Sequence, residues 1–145
     1  MTPDSALTAV IARLTAAGLT KAKSPLGVTN ASAPQIDRSF SVRQISIGPS
    51  SEPGRQRPDV PGVRVAHRFQ VELGHKLKPN SGQEAISQAL SDIHSAFKYL
   101  SQFNTTLTAG AAIELGTSST EYAGGGAYLV QRFPLTVIYN MTLVV

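Results

Sequence analysis

A chain of 145 residues, 41% hydrophobic and 15% charged, is long enough for one core, and folding at that length buries roughly 70% of the unfolded chain's surface. It has no cysteine, which excludes disulfides and thiolate metal sites, and no run of about 20 apolar residues, which excludes a membrane-spanning helix. The net charge of +4 and pI near 9.7 admit an acidic partner or nucleic acid, although modest positive charge is as common without either. The charged share is well below the roughly 25% of an ordinary domain, so part of the surface is expected to meet other protein.

The first predicted element is a helix. Thr2 can cap it, Pro3 suits its first position, and Asp4 suits the positive end of its dipole. Leu7, Val10, Ile11 and Leu14 recur at helical spacing as an apolar stripe, and Gly18 is a natural stop. The N-terminus lacks the basic start and unbroken apolar run of a signal peptide, so the chain is expected to stay in the cytoplasm where it is made. Residues 21–34 are polar, contain two prolines, and read as an irregular linker.

A strand is expected over 39–48. Phe40 and Val42 alternate, then Ile45 and Ile47 alternate one residue out of phase. A bulge near Arg43 and Gln44 would bring all four to one face. Residues 48–62 hold four prolines and three glycines and are expected to be neither helix nor central strand. A loop of that length in a small domain is usually functional or unstructured. Over 63–73 the alternation is clean: Val63, Val65, His67, Phe69, Val71 and Leu73 on one face, Arg64, Arg68, Gln70 and Glu72 on the other. The two strands are predicted to form a long hairpin with a protruding tip at 48–62.

The second helix has the strongest pattern. Ser81 and Glu84 form a capping box, and Ile86, Leu90, Ile93, Phe97 and Leu100 repeat as one seam up to Phe103, with Asn104 as a stop. Such side chains contribute roughly 1.5–3 kcal/mol each when fully buried, so the helix is predicted to pack across the sheet. A short strand at 111–115 follows, then a loop at 117–126 ending in Gly124-Gly125-Gly126, then a long strand over 128–145. In that strand Leu135, Val137, Tyr139, Met141 and Leu143 share a face, and Pro134 marks an edge position or a break. The predicted fold is a single α+β domain over 1–145. Its sheet is mainly antiparallel with helices packed on one face, in the order α-β-β-α-β-β.

No active-site pattern emerges. His67, on the apolar face of a strand, is expected to be a hydrogen-bonded core histidine; His75, beside Lys76, is expected to be solvated; His94 flanks the helix seam. No histidine pair has zinc-motif spacing, no serine sits in a nucleophile elbow, and the glycine triplet lacks the helix and lysine of a phosphate loop. Of 9 carboxylates, Asp4 and Glu84 serve helix starts, and nothing marks a paired acid and base. The chain reads as non-enzymatic, with no cofactor and no metal. Arg55, Arg57, Arg64 and Arg68 cluster in and beside the Pro-rich loop and, with Asp59, form the candidate partner-binding set. The plain alternative is a solvated charged loop; the others are contact with an acidic protein surface or with DNA phosphates.

Several stretches together resemble the tail terminator, or tail-completion, proteins of long-tailed bacteriophages. They are Ala6-Leu7 and Ala12-Arg13-Leu14 in the first helix, the strand Val65-Ala66-His67-Arg68-Phe69-Gln70-Val71-Glu72-Leu73, the basic turn Gly74-His75-Lys76, the capped helix over 83–99, and the ending Leu129-Val130-Gln131-Arg132-Phe133-Pro134-Leu135-Thr136-Val137. The likeness covers most of the chain through patterns and carries no single diagnostic motif. It implies a homo-oligomeric ring, a hexamer, seated on the last ring of the tail tube. There it would stop polymerisation and offer a surface to the head–tail connector or stopper protein. The location implied is the head-proximal end of the virion tail, assembled in the host cytoplasm, with passing contact with DNA and no membrane. The resemblance carries over no catalytic residue. Two alternatives stand beside it: another virion ring protein (head-closure, neck or tail-tube), and a small basic nucleic-acid-binding module.

Overall fold

The computed structural model describes residues 2–22, 37–50, 63–77, 82–102, 111–123 and 127–141. Helix α1 (Pro3–Ala16) starts where its cap residue dictates. Thr2 Oγ1 accepts from Ser5 N at 3.2 Å, and Ser5 Oγ accepts from Thr2 N at 2.9 Å. Ala6, Val10 and Leu14 are fully buried, with Leu7 and Ile11 packed at the margin of the core. Gly18 follows at φ +94°, a left-handed conformation that favours glycine, and turns the chain out of the helix.

The sheet contains β1 (Thr20–Lys21), β2 (Ser39–Pro49), β3 (Val63–Lys76), β4 (Ala112–Leu115), β5 (Ser119–Ala123) and β6 (Tyr128–Met141). Its spatial order is β1-β2-β3-β6-β4, and β5 pairs with the same side of β6 as β4 does. All pairings are antiparallel except that of β1 with β2. Helix α2 (Gly82–Ser101) connects β3 to β4, which flank β6. Both helices lie on one face. Ala6, Val10 and Leu14 of α1 and Ala96 and Leu100 of α2 join Phe40, Val71, Leu73, Phe133 and Leu135 in one apolar core. The architecture is the α+β arrangement read from the sequence, α-β-β-α-β-β, with the two-residue β1 and the short β5 added.

Several expectations change in detail. The bulge in β2 falls between Gln44 and Ser46, one residue later than read, and leaves Ile45 without a partner. The shift sets Ile47 opposite His67, on the side of Phe40 and Val42, but neither isoleucine is buried: Ile45 is 56% and Ile47 37% exposed. Gly48 and Pro49 pair with Ala66 and Val65, so the Pro-rich segment begins inside a strand. Ser50 N donates to Arg64 O at 3.1 Å, which turns Pro49's nitrogen away from β3 and makes the missing N–H harmless.

In α2 the buried line is Ala89, Asp92, Ala96 and Leu100; Ile93 and Phe97 pack at the core margin, and Leu90 is 59% exposed. Asp92 faces inward, and Leu90, about 200° around the helix from it, therefore faces out. Pro134 is neither at an edge nor at a break: β6 is central. The proline is accommodated because the neighbouring strand is interrupted at 116–118. Gly116 N donates to Pro134 O at 2.9 Å, and a side chain on Gly116 would run into Pro134 Cγ and Cδ. The segment expected as a loop at 117–126 contains β5. The linker at 23–34, Ser81, Phe103, Asn104, the glycine triplet and residues 142–145 lie outside the described residues.

Candidate functional site

Alternation along β3 divides its side chains between the helices and an outer sheet face. Val65, His67, Phe69, Val71 and Leu73 are buried against the core, as their spacing predicts. His67 Nδ1 lies 3.1 Å from Tyr139 Oη, and burial pulls the His67 pKa below its ordinary value. His75 continues the inward set because β3 runs on to Lys76. It is 1% exposed and not solvated, with Nε2 2.7 Å from Asp92 Oδ2.

Asp92 anchors α2 to the sheet. Arg38 grips it twice, Nε to Oδ2 at 3.0 Å and Nη2 to Oδ1 at 2.9 Å, and Gln88 Nε2 donates to Oδ1 at 3.0 Å. Burial pushes the Asp92 pKa up, but the bonds from Arg38, His75 and Gln88 outweigh it, and the carboxyl titrates below its ordinary range. Asp37 Oδ1 accepts from Arg38 N at 3.0 Å and Lys76 N at 2.9 Å, fixing the turn in which Arg38 adopts φ +55°. His75 and Asp92 lie inside the fold, while the Arg38 side chain, 43% exposed, and Gln88 close the cluster from the surface.

The outer face carries a second cluster, which spans the sheet. Glu72 on β3 is 0% exposed. Arg43 on β2 places Nε 2.6 Å from one of its oxygens, and Arg132 on β6 donates from Nε to the other at 3.0 Å. Arg132 Nη1 also bonds Glu121 on β5. Burial lowers the Arg132 pKa, but its bonds to Glu121 and Glu72 dominate and raise it. The charges therefore alternate across four neighbouring strands: cation on β2, anion on β3, cation on β6, anion on β5.

Beside this row lies an open furrow of about 360 Å³, lined by Arg68, Gln70, Arg132, Pro134, Thr136 and Ile45, among others. Of the partner-binding residues read from the sequence, Arg64 and Arg68 share this outer face. Arg64 is only 8% exposed, which leaves Arg68 as the exposed cation of the two. Arg55, Arg57 and Asp59 lie outside the described residues. The sequence reading missed both ionic clusters. For Asp92 a signal existed, since it shares a helical face with Ala89 and Ala96. For Glu72, only strand register could name its partners.

Among the described residues no group of His, Asp and Glu could hold a metal ion, and no helix is long and apolar enough to cross a membrane. Comparison with known protein families and with curated proteins finds no match for the chain.

Proposed function

We propose that the chain is a structural subunit of a virion, the tail terminator that forms a ring on the tail tube, stops its polymerisation and provides the head-attachment surface. The observation that carries the ring is the state of the sheet margins. Among the described residues, β2 beyond Phe40 and the far side of β4 and β5 have no strand neighbour. Each margin displays apolar surface: Ile45 and Ile47 at one, Tyr122, 57% exposed, at the other. Unpaired strand edges are pairing surfaces that monomeric proteins normally cover. A subunit with two such margins needs a neighbour on each side, and a closed ring supplies both. The choice of the terminator among virion rings rests on the sequence resemblance.

The test is assembly with tail-tube protein. Tubes polymerised with this protein should stop growing and carry a ring at one end in electron micrographs. Unlimited tube growth, or a single copy in the virion away from the tube end, would overturn the terminator. Arg68 lends support to a second reading, a basic nucleic-acid-binding module. Salt-sensitive binding of isolated monomer to DNA, without rings, would favour that module instead.

A further inference from the structure

The outer-face charge row ends in opposite signs at the two margins of the sheet, and this specifies how one copy meets the next. We propose that copies join head to tail, with β2 of one molecule pairing beside β5 of its neighbour, so that Arg43 of one continues the row from Glu121 of the other. This rests on the ring reading and names the surfaces that close the ring.

Three observations converge on it. First, polarity: within one chain the row reads Arg43, Glu72, Arg132, Glu121 across β2, β3, β6 and β5. A second copy added at the β5 margin begins with Arg43, so the alternation continues without a like-charge contact. The two symmetric dimers do the opposite, because β2 against β2 sets arginine beside arginine and β5 against β5 sets glutamate beside glutamate. Like charges across paired strands are unfavourable, so the row selects a heterologous contact, the kind that closes into rings.

Second, among the described residues the edge backbone is available. Phe40 O accepts from Ala22 N at 2.8 Å, which shows that Phe40 faces the margin, and strand alternation then directs the amides of Val42 and Gln44 outward. On the other side Gly116 N points inward to Pro134 O, and the register of β5 turns the amides of Thr120 and Tyr122 outward. Within one chain β2 and β5 run in opposite directions, so an added β2 extends the sheet in its antiparallel sense.

Third, both ends of the row reach water. The Arg43 side chain is 34% exposed and that of Glu121 60%, whereas Glu72 between them is 0% exposed. Among the described residues, Glu121 is bonded at its inner side, to Arg132 on the neighbouring strand. Its outer side faces the margin where the next copy would arrive.

The absence of cysteine makes a direct test clean. One preparation carries Gln44→Cys and a second carries Thr120→Cys, both at exposed edge positions on the same sheet face. Mixed at millimolar concentration with a short thiol-specific cross-linker, they should yield the mixed 44–120 product in excess over 44–44 and 120–120 products. Predominant same-site products, or no product, would overturn the interface. In parallel, Glu121→Lys should weaken self-association on the order of tenfold, with Glu121→Gln intermediate, while the thermal midpoint stays near wild type. The wild-type association should also weaken as salt is raised. Unchanged association of Glu121→Lys would overturn the role of the charge row. A protein that passes both tests yet fails to cap tubes keeps this interface and loses the terminator. One that caps tubes but cross-links at the wrong sites keeps the terminator and loses this interface.

Discussion

Asp92 on α2 and Glu72 on β3 are almost wholly out of water, at 2% and 0% exposure, and each is held by an arginine fork or pair. Their surroundings differ in one respect. The Asp92 cluster is closed: Arg38, His75 and Gln88 all converge on the carboxylate, and it joins the second helix to the end of β3. The Glu72 cluster is open, running strand by strand to Arg43 and Glu121 at the two margins. A closed cluster spends its bonds on holding the fold. An open one carries paired but water-exposed charge to its ends, where a neighbour can add to it.

The comparison is broken most directly by deleting each carboxylate. Asp92→Ala should cost about 3 kcal/mol, because it strands a buried partner. Among the described residues His75 Nδ1 has no hydrogen-bond partner, so the change leaves that ring, 1% exposed, with none there. Glu72→Ala should cost less, since the arginines it releases are 34% and 22% exposed and can turn to water. Urea unfolding of the two variants ranks them, and an equal or reversed order removes the distinction.

Gly116→Ala comes next, at about 1–3 kcal/mol, because the new methyl meets the Pro134 ring in a packed sheet. Pro134→Ala in the same chain should restore much of the loss, and a double-mutant cycle on thermal unfolding measures the coupling. That pair tests the margin strand without touching either charge cluster.

Acid should act on the core in two stages. Burial holds the folded pKa of His67 below its unfolded value of about 6.5, so the folded state resists its protonation. Stability is therefore full above about pH 6.5 and declines as pH falls through the folded pKa. The folded pKa of Asp92 is also depressed, so its bonds stabilise the fold above about pH 4 and are lost below that, as pH falls through the folded value. His67→Gln should abolish the first decline and keep the second, and Asp92→Asn should do the reverse. Unfolding free energies measured from pH 8 downward would show it.

The smallest effect sharpens the comparison from the open end. Glu121 is well exposed, so Glu121→Gln should change the stability of the isolated subunit by no more than about 0.5 kcal/mol. A larger loss in chemical denaturation would mean that the row stabilises the monomer, as the Asp92 cluster does.

Much of the fold was legible because its causes are local. Thr2, Pro3 and Asp4 mark the start of α1, and Gly18, at φ +94°, marks its end; both signals sit within a few residues of the structure they cause. The period of two in β3 and β6 separated the core face from the outer face correctly, because pleating alone sets it. It also placed Arg64 and Arg68 together on the outer face, although only packing decided that Arg64 would be buried.

What the sequence could not determine depends on partners far along the chain. Arg38 meets Asp92 across 54 residues, and Arg132 meets Glu72 across 60. Which pairs form is decided by strand register and by how α2 is turned against the sheet. That turn is set by Asp92 facing inward, which exposes Leu90 from an apolar seam that periodicity alone would bury. Pro134 reads as an edge residue until Gly116 is seen lying against it across the ladder. The order of elements follows from local preference and apolar spacing; the charge row and its two complementary ends exist only once the strands lie side by side.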